Sequence, residues 1–252
     1  MDLGLRDRCY LATGASRGLG FATADVLVAE GAQVIVSARD PDGVAAAVDR
    51  LGAGNAIGLA GDLAEATLAE RLCAAAFERA GRIDGALISV GGPPPGGVLD
   101  LTDEQWRDAF DSVFLGAVRL ARTVAAALGE GGAIAFVLSS SVRTPIGGLA
   151  ASNGLRPGLA MVAKALADEV GPRGIRVNTL LPGRIATDRT LALDERSGDA
   201  AAARAAAEAA IPLRRYGDAA EFGRAAAFLL SPAASYISGT TLAVDGGALR
   251  AL

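Results

Sequence analysis

Short apolar runs separated by longer, helix-patterned stretches dominate the chain. The runs fall at Cys9–Thr13, 33–37, Ala56–Ala60, Gly85–Ser89, 133–139, 176–181 and 242–244. They carry almost no polar alternation, which is the pattern of strands covered on both faces rather than on one. Helical stretches such as 21–30 lie between most of them. This order predicts an α/β fold: a Rossmann-type doubly wound parallel sheet of about seven strands, flanked by helices on both faces and joined by right-handed crossovers. The whole of 1–252 is expected to form one domain. Pro93-Pro94-Pro95-Gly96-Gly97 can be neither helix nor inner strand, because proline lacks the backbone donor, so it reads as a loop at the carboxyl edge of the sheet. The stretch 188–210 is alanine-rich, charged and helix-prone.

Composition narrows the function. With 252 residues, 51% of them hydrophobic, the chain can bury a large core. The net charge of −4 disfavours nucleic acid, which needs a basic surface, and favours a small-molecule ligand. No apolar run approaches a membrane span and the first eight residues lack a signal-peptide core, so a cytoplasmic location is expected. Cys9 and Cys73, in a predicted strand and a predicted helix, suit buried thiols in a reducing compartment. The chain has no histidine and Lys164 is its only lysine. Two common proton-transfer groups are therefore nearly missing, and no transition-metal site is expected.

Thr13-Gly14-Ala15-Ser16-Arg17-Gly18-Leu19-Gly20 follows the first run and opens the first helical stretch. Glycines there let the backbone turn tightly and approach a pyrophosphate at the positive end of a helix. Further segments follow in order: Asp62-Leu63 after the third run, Ile88-Ser89-Val90-Gly91 after the fourth, Ser139-Ser140 after the fifth, and Pro182-Gly183-Arg184-Ile185-Ala186-Thr187 after the sixth. Val244-Asp245-Gly246-Gly247 lies near the end. Over nearly its whole length the chain thus resembles the short-chain dehydrogenase/reductase family, in particular its 3-oxoacyl-carrier-protein reductases, with a departure at Ile88-Ser89-Val90-Gly91, where the family has Asn-Asn-Ala-Gly. The resemblance implies a dinucleotide held by Gly14, Ser16, Arg17, Gly18, Leu19, Gly20, Asp62, Leu63, Gly91, Pro182, Gly183, Ile185 and Thr187. It also implies a lid over the substrate near 188–212, although an ordinary surface helix pair would read the same way. Helices at 101–128 and 149–170 would support a homodimer or homotetramer.

Cofactor choice in this fold is made near the end of the second strand. Ala38-Arg39 stands there, and Arg17 can approach the same region. A guanidinium pairs well with a 2′-phosphate, so NADP(H) is preferred and NAD(H) remains possible, with Asp40 complicating the choice.

The family's proton-transfer residues are another matter. Counting back twelve residues from Glu169 puts the family lysine at Pro157 and its tyrosine at Asn153; counting thirteen forward from Ser140 also reaches Asn153. Seven residues after Trp106, the family asparagine becomes Val113, whereas Ser140 is kept. Asparagine is no general acid near neutral pH, and proline has no side-chain donor. Tyr10, Tyr216 and Tyr236 offer no evident substitute, and Lys164 is about two helical turns from position 157. Ser140, Asn153 and Arg156 are the candidate catalytic residues. Arg156 reads equally well as a ribose or anion contact and as a solvent-facing charge, and Arg143 and Arg184 are further substrate candidates. Pro157, between Gly154 and Gly158, predicts a helix that begins late or kinks. Two functions follow: an NADP(H)-dependent oxidoreductase acting on a carbonyl or conjugated enoyl group with a non-standard active site, or a catalytically silent NADP(H)-binding sensor or partner subunit. A non-nucleotide scaffold leaves the glycine loop unexplained.

Overall fold

The structure, a computed structural model, describes residues 2–196 and 198–250. Seven parallel strands form one sheet in the order β3-β2-β1-β4-β5-β6-β7. They are β1 Cys9–Thr13, β2 Gln33–Ala38, β3 Ala56–Ala60, β4 Gly85–Ser89, β5 Ala133–Val137, β6 Arg176–Pro182 and β7 Thr241–Val244. The seven apolar runs all appear as strands. The reversal of strand order between β1 and β4 opens the crevice in which such sheets bind ligands.

Alternate residues of each strand feed two cores. Cys9, Leu11 and Ile35 join Leu72, Leu120 and Leu159 on one face, whereas Tyr10, Ala12 and Val34 join Leu27 and Phe222 on the other. The first face is covered by α3 Leu68–Ala80, α5 Gly116–Ala127 and α6 Ala150–Val170; the second by α1 Gly18–Ala29, α2 Pro41–Leu51 and α9 Ala219–Leu230. The stretch expected as one helix from 101 to 128 is α4 Asp103–Ala109, a π-helical segment Phe110–Leu115 and then α5. The stretch 188–210 forms a helix pair, α7 Asp188–Glu195 and α8 Ala200–Ala210.

Of the late start or kink expected for the helix carrying Pro157, the late start is overturned: α6 starts at Ala150 and continues to Val170 with Pro157 as its eighth residue. Proline there removes the donor for the Asn153 carbonyl and costs about 3 kcal/mol. Packing offsets that cost, because Ser152, Arg156, Leu159, Ala163, Ala167 and Val170 form a continuous buried stripe against the sheet. The glycines beside Pro157 also admit neighbours closely: a side chain at Gly158 would meet the Phe114 ring, and one at Gly154 the Trp106 ring.

Candidate active site

The site is assembled at the carboxyl ends of β1, β2, β4, β5 and β6. At the end of β1, Thr13 Oγ1 donates to the Ser89 carbonyl and accepts from the Ser89 amide, both at 3.0 Å, which ties β1 to β4 where the crevice opens. Gly14 (φ +58°) and Gly18 (φ +60°) take left-handed backbone that other residues rarely adopt, and a Cβ at Gly20 would collide with the Gly14 carbonyl. Arg17 stands at the N-cap of α1 but provides no side-chain cap, and the first turn holds no acid. The amides at this helix end are thus available to an anion, as a pyrophosphate site requires. Ser16 and Leu19 are half-buried beside them.

Two arginines flank the cradle in ion pairs. Arg39 reaches Asp62 at 3.9 Å, and Arg17 reaches Asp188 of α7 at 3.6 Å. All but Asp62 are largely exposed, so each pair contributes little and can be exchanged for a phosphate. Asp62 is oriented by the Ala64 amide, and the following Leu63 carbonyl lies against Gly116 of α5, where any side chain would clash. On the opposite wall, the Gly183 amide donates to the Val244 carbonyl, Ile185 is buried, and Thr187 caps α7. Thr187 faces Gly18 across the crevice. This set fits a dinucleotide carrying a 2′-phosphate.

The three candidate catalytic residues have different fates. Ser139 accepts from the Ser141 amide and starts a 3-10 turn, which leaves Ser140 half-buried at the exit of β5. Asn153 staples the loop before α6: its Oδ1 accepts from the Ile146 amide at 3.0 Å and its Nδ2 donates to the Ile146 carbonyl at 2.9 Å. Arg156 points into the protein and is 5% exposed. Its Nη1 donates to the carbonyls of Val137 and Leu138 at 3.1 and 3.0 Å, and its Nη2 to that of Gly91 at 3.4 Å. The guanidinium therefore bridges the carboxyl ends of β4 and β5. Burial, and secondly the nearby charge of Arg189, push its pKa down to about 10, so it stays charged at neutral pH.

Other residues are placed away from chemistry. Val113 is buried inside the π-helical segment. Arg184 donates to Asp194, which also accepts from the Tyr216 hydroxyl, so these two fasten α7 to the loop after β6. Tyr10 is buried in the core, with its hydroxyl turned to the Leu230 carbonyl. Tyr236 and Lys164 are exposed, the latter resting against Gly239, and Arg143 is exposed after the 3-10 turn. Sequence reasoning missed Arg189 and Arg196 on the edge of the site; three arginines between 184 and 196 were the available signal.

Comparison with known proteins agrees with this geometry. Residues 14–248 match the family described as enoyl-(acyl carrier protein) reductase. The chain is 33% identical over 247 residues to the 3-oxoacyl-[acyl-carrier-protein] reductase FabG of Vibrio harveyi, covering 97% of this chain and 98% of that one. It is 36% identical over 239 residues to the FabG of Escherichia coli, covering 94% and 95%. Among solved structures, the L-sorbose reductase of Gluconobacter frateurii, complexed with NADPH and L-sorbose, superposes over 100% of both chains with a TM-score of 0.92 at 28% identity. With the sheet order, the glycine cradle and full-length matches in agreement, the chain belongs to the short-chain dehydrogenase/reductase family.

Proposed function

We propose that the protein is an NADP(H)-dependent oxidoreductase that reduces a carbonyl or conjugated enoyl group at a site where Asn153 and Pro157 occupy the places of the family's tyrosine and lysine. The observation that carries this reading is the buried Arg156 guanidinium, held by the carbonyls of Val137, Leu138 and Gly91 at the carboxyl ends of β4 and β5. Bound NADPH supplies a hydride. The protein's own groups then have to hold the substrate oxygen and stabilise the negative charge that develops on it. The Ser140 hydroxyl, half-buried and with no hydrogen-bond partner among the described residues, can donate to that oxygen. The fixed charge of Arg156 stabilises the oxyanion without reorganisation, and the proton comes from water. Such a site is slower than one with a tuned acid, by roughly the 10²–10⁴-fold that positioned proton transfer provides.

NADP(H) preference is supported by Arg39 and Arg17 and by the NADPH complex of the sorbose reductase. Titration of the protein with NADPH and NADH, followed by turnover assays on carbonyl and enoyl substrates, tests the reading. Micromolar NADPH binding that passes to NADH in Arg39→Asp supports it, and an unchanged preference in that variant removes the role given to Arg39. The silent-sensor reading is favoured by a separate observation, the commitment of the Asn153 amide to the Ile146 backbone. NADPH binding that alters oligomeric state or partner binding, without turnover on any substrate, would select it. We also infer a homodimer or homotetramer through the α4–α6 face, where Trp106, Phe110 and Leu155 line an open apolar depression of about 460 Å³. Light scattering of the eluting protein reads that state directly.

A further inference from the structure

Three arginines converge beside the proline-rich loop. Arg156 of α6 holds the Gly91 carbonyl, and the next residue, Gly92, lies under the Arg189 guanidinium so closely that any side chain there would collide with it. Arg189 is exposed as a residue, its guanidinium is laid over Gly92, and desolvation there, with Arg196 beside it, lowers its pKa. Among the described residues, no carboxylate lies within 4 Å of any of the three, although other arginines here find acids: Arg17 has Asp188, Arg39 has Asp62 and Arg184 has Asp194. Arg189 and Arg196 line a cavity of about 250 Å³, whose other walls include Pro93, Pro94, Pro95 and Leu149.

Like charges brought together at a partly desolvated corner repel, and the repulsion is screened less than on open surface. An anion reverses its sign. The forked donors of guanidinium suit a carboxylate, while prolines and leucine offer an apolar wall. The volume corresponds to roughly eight waters at about 30 Å³ each, enough for a short carbon skeleton and too little for a dinucleotide. We propose that this cavity is a substrate subsite for a compact oxo acid, with Arg189 and Arg196 holding its carboxylate and the proline loop and Leu149 holding its carbon chain. Naming the ligand a substrate rests on the reductase reading above; the anion site itself does not. The competing occupant for Arg189 is a cofactor phosphate, since Thr187, two residues earlier, faces the glycine loop.

Calorimetric titration of the full chain with 4-methyl-2-oxopentanoate, 3-phenyl-2-oxopropanoate and their methyl esters tests the proposal, with NADPH titrated separately. At least one acid should bind about tenfold or more tighter than its ester. Arg189→Gln and Arg196→Gln should each weaken the acid about tenfold, the loss of one charge-assisted contact, while leaving NADPH affinity unchanged. Equal affinity for acid and ester, or no binding of either acid, would overturn it. So would a fall in NADPH affinity in Arg189→Gln with acid binding unchanged, which assigns that arginine to the cofactor. Acid binding without any NADPH binding keeps the anion site and sinks the reductase reading; NADPH binding without acid discrimination does the reverse.

Discussion

Replacing Arg156 with methionine sets two large effects against each other. The guanidinium is buried without a carboxylate, so its removal relieves a desolvation penalty that in other proteins makes apolar replacements neutral or stabilising. Against this stand its hydrogen bonds, two at 3.0–3.1 Å to the carbonyls of Val137 and Leu138 and a longer one at 3.4 Å to Gly91. Methionine fills much of the volume but leaves those carbonyls without their donor, at roughly 1–3 kcal/mol for each well-formed bond. Taking two full bonds, discounting the third and allowing partial relief of desolvation, a net loss of about 2–4 kcal/mol is expected. At about 2–4 °C per kcal/mol for a chain of this size, Tm should fall by roughly 4–16 °C. Urea unfolding at pH 7 and thermal melts measure it. The pH dependence supplies a second check. The folded pKa of about 10 lies below the ordinary arginine value, so the unfolded state holds the extra proton between the two. The buried-charge penalty is then fully present below pH 10 and is relieved as pH rises through that window, moving the comparison further in favour of the wild type. A variant as stable as the wild type, or more so, would refute the view that the hydrogen bonds outweigh desolvation.

Three other outcomes are expected. Pro157→Ala restores a donor for the Asn153 carbonyl in an unbroken helix, and should raise stability by about 2 kcal/mol in the same denaturation experiment, the interior-proline cost less the unfolded-state entropy that proline saves. Cys9 and Cys73 are buried, and burial raises both thiols to about 11. At pH 8 they should resist alkylation in the native protein and both react in denaturant; rapid native labelling of either would contradict their placement. Glu221 is held down to about 2, first by its hydrogen bonds with Arg215 and then by the Asp218 amide. The stability it contributes is present above its unfolded value of about 4.5 and is lost as pH falls towards 2, so Glu221→Gln should flatten the acid unfolding curve in that window.

The sheet was legible because continuous apolar runs have few alternatives once they are spaced by helices: all seven strands lie where the runs are, with ends differing by one or two residues. β5 stops at Val137 rather than 139 because Ser139 turns its hydroxyl to the Ser141 amide and starts a 3-10 turn. The π-helical segment at Phe110–Leu115 was not legible, since one extra residue in a turn leaves no mark on apolar spacing. Of the late start or kink predicted for α6, the late start does not occur, because the stripe of buried residues outweighs the local cost of proline.

That same stripe decides the orientation of Arg156, and it was present in the sequence. Ser152, Arg156, Leu159, Ala163, Ala167 and Val170 recur at intervals of four, three, four, four and three, the spacing of one helical face. Given a helix from 150 to 170, Arg156 must face the sheet with Leu159 and Ala163, and the solvent-facing alternative is lost. What the spacing does not supply is a partner, because the acceptors are main-chain carbonyls at the ends of β4 and β5, which no side-chain pattern reports. The charge is placed by the helix and tolerated because the strand ends offer carbonyl oxygens. Asn153, one turn earlier, is committed to the Ile146 backbone. The one buried cation that this helix carries to the strand ends, among the described residues, is therefore Arg156, fixed by the carbonyls of Val137, Leu138 and Gly91.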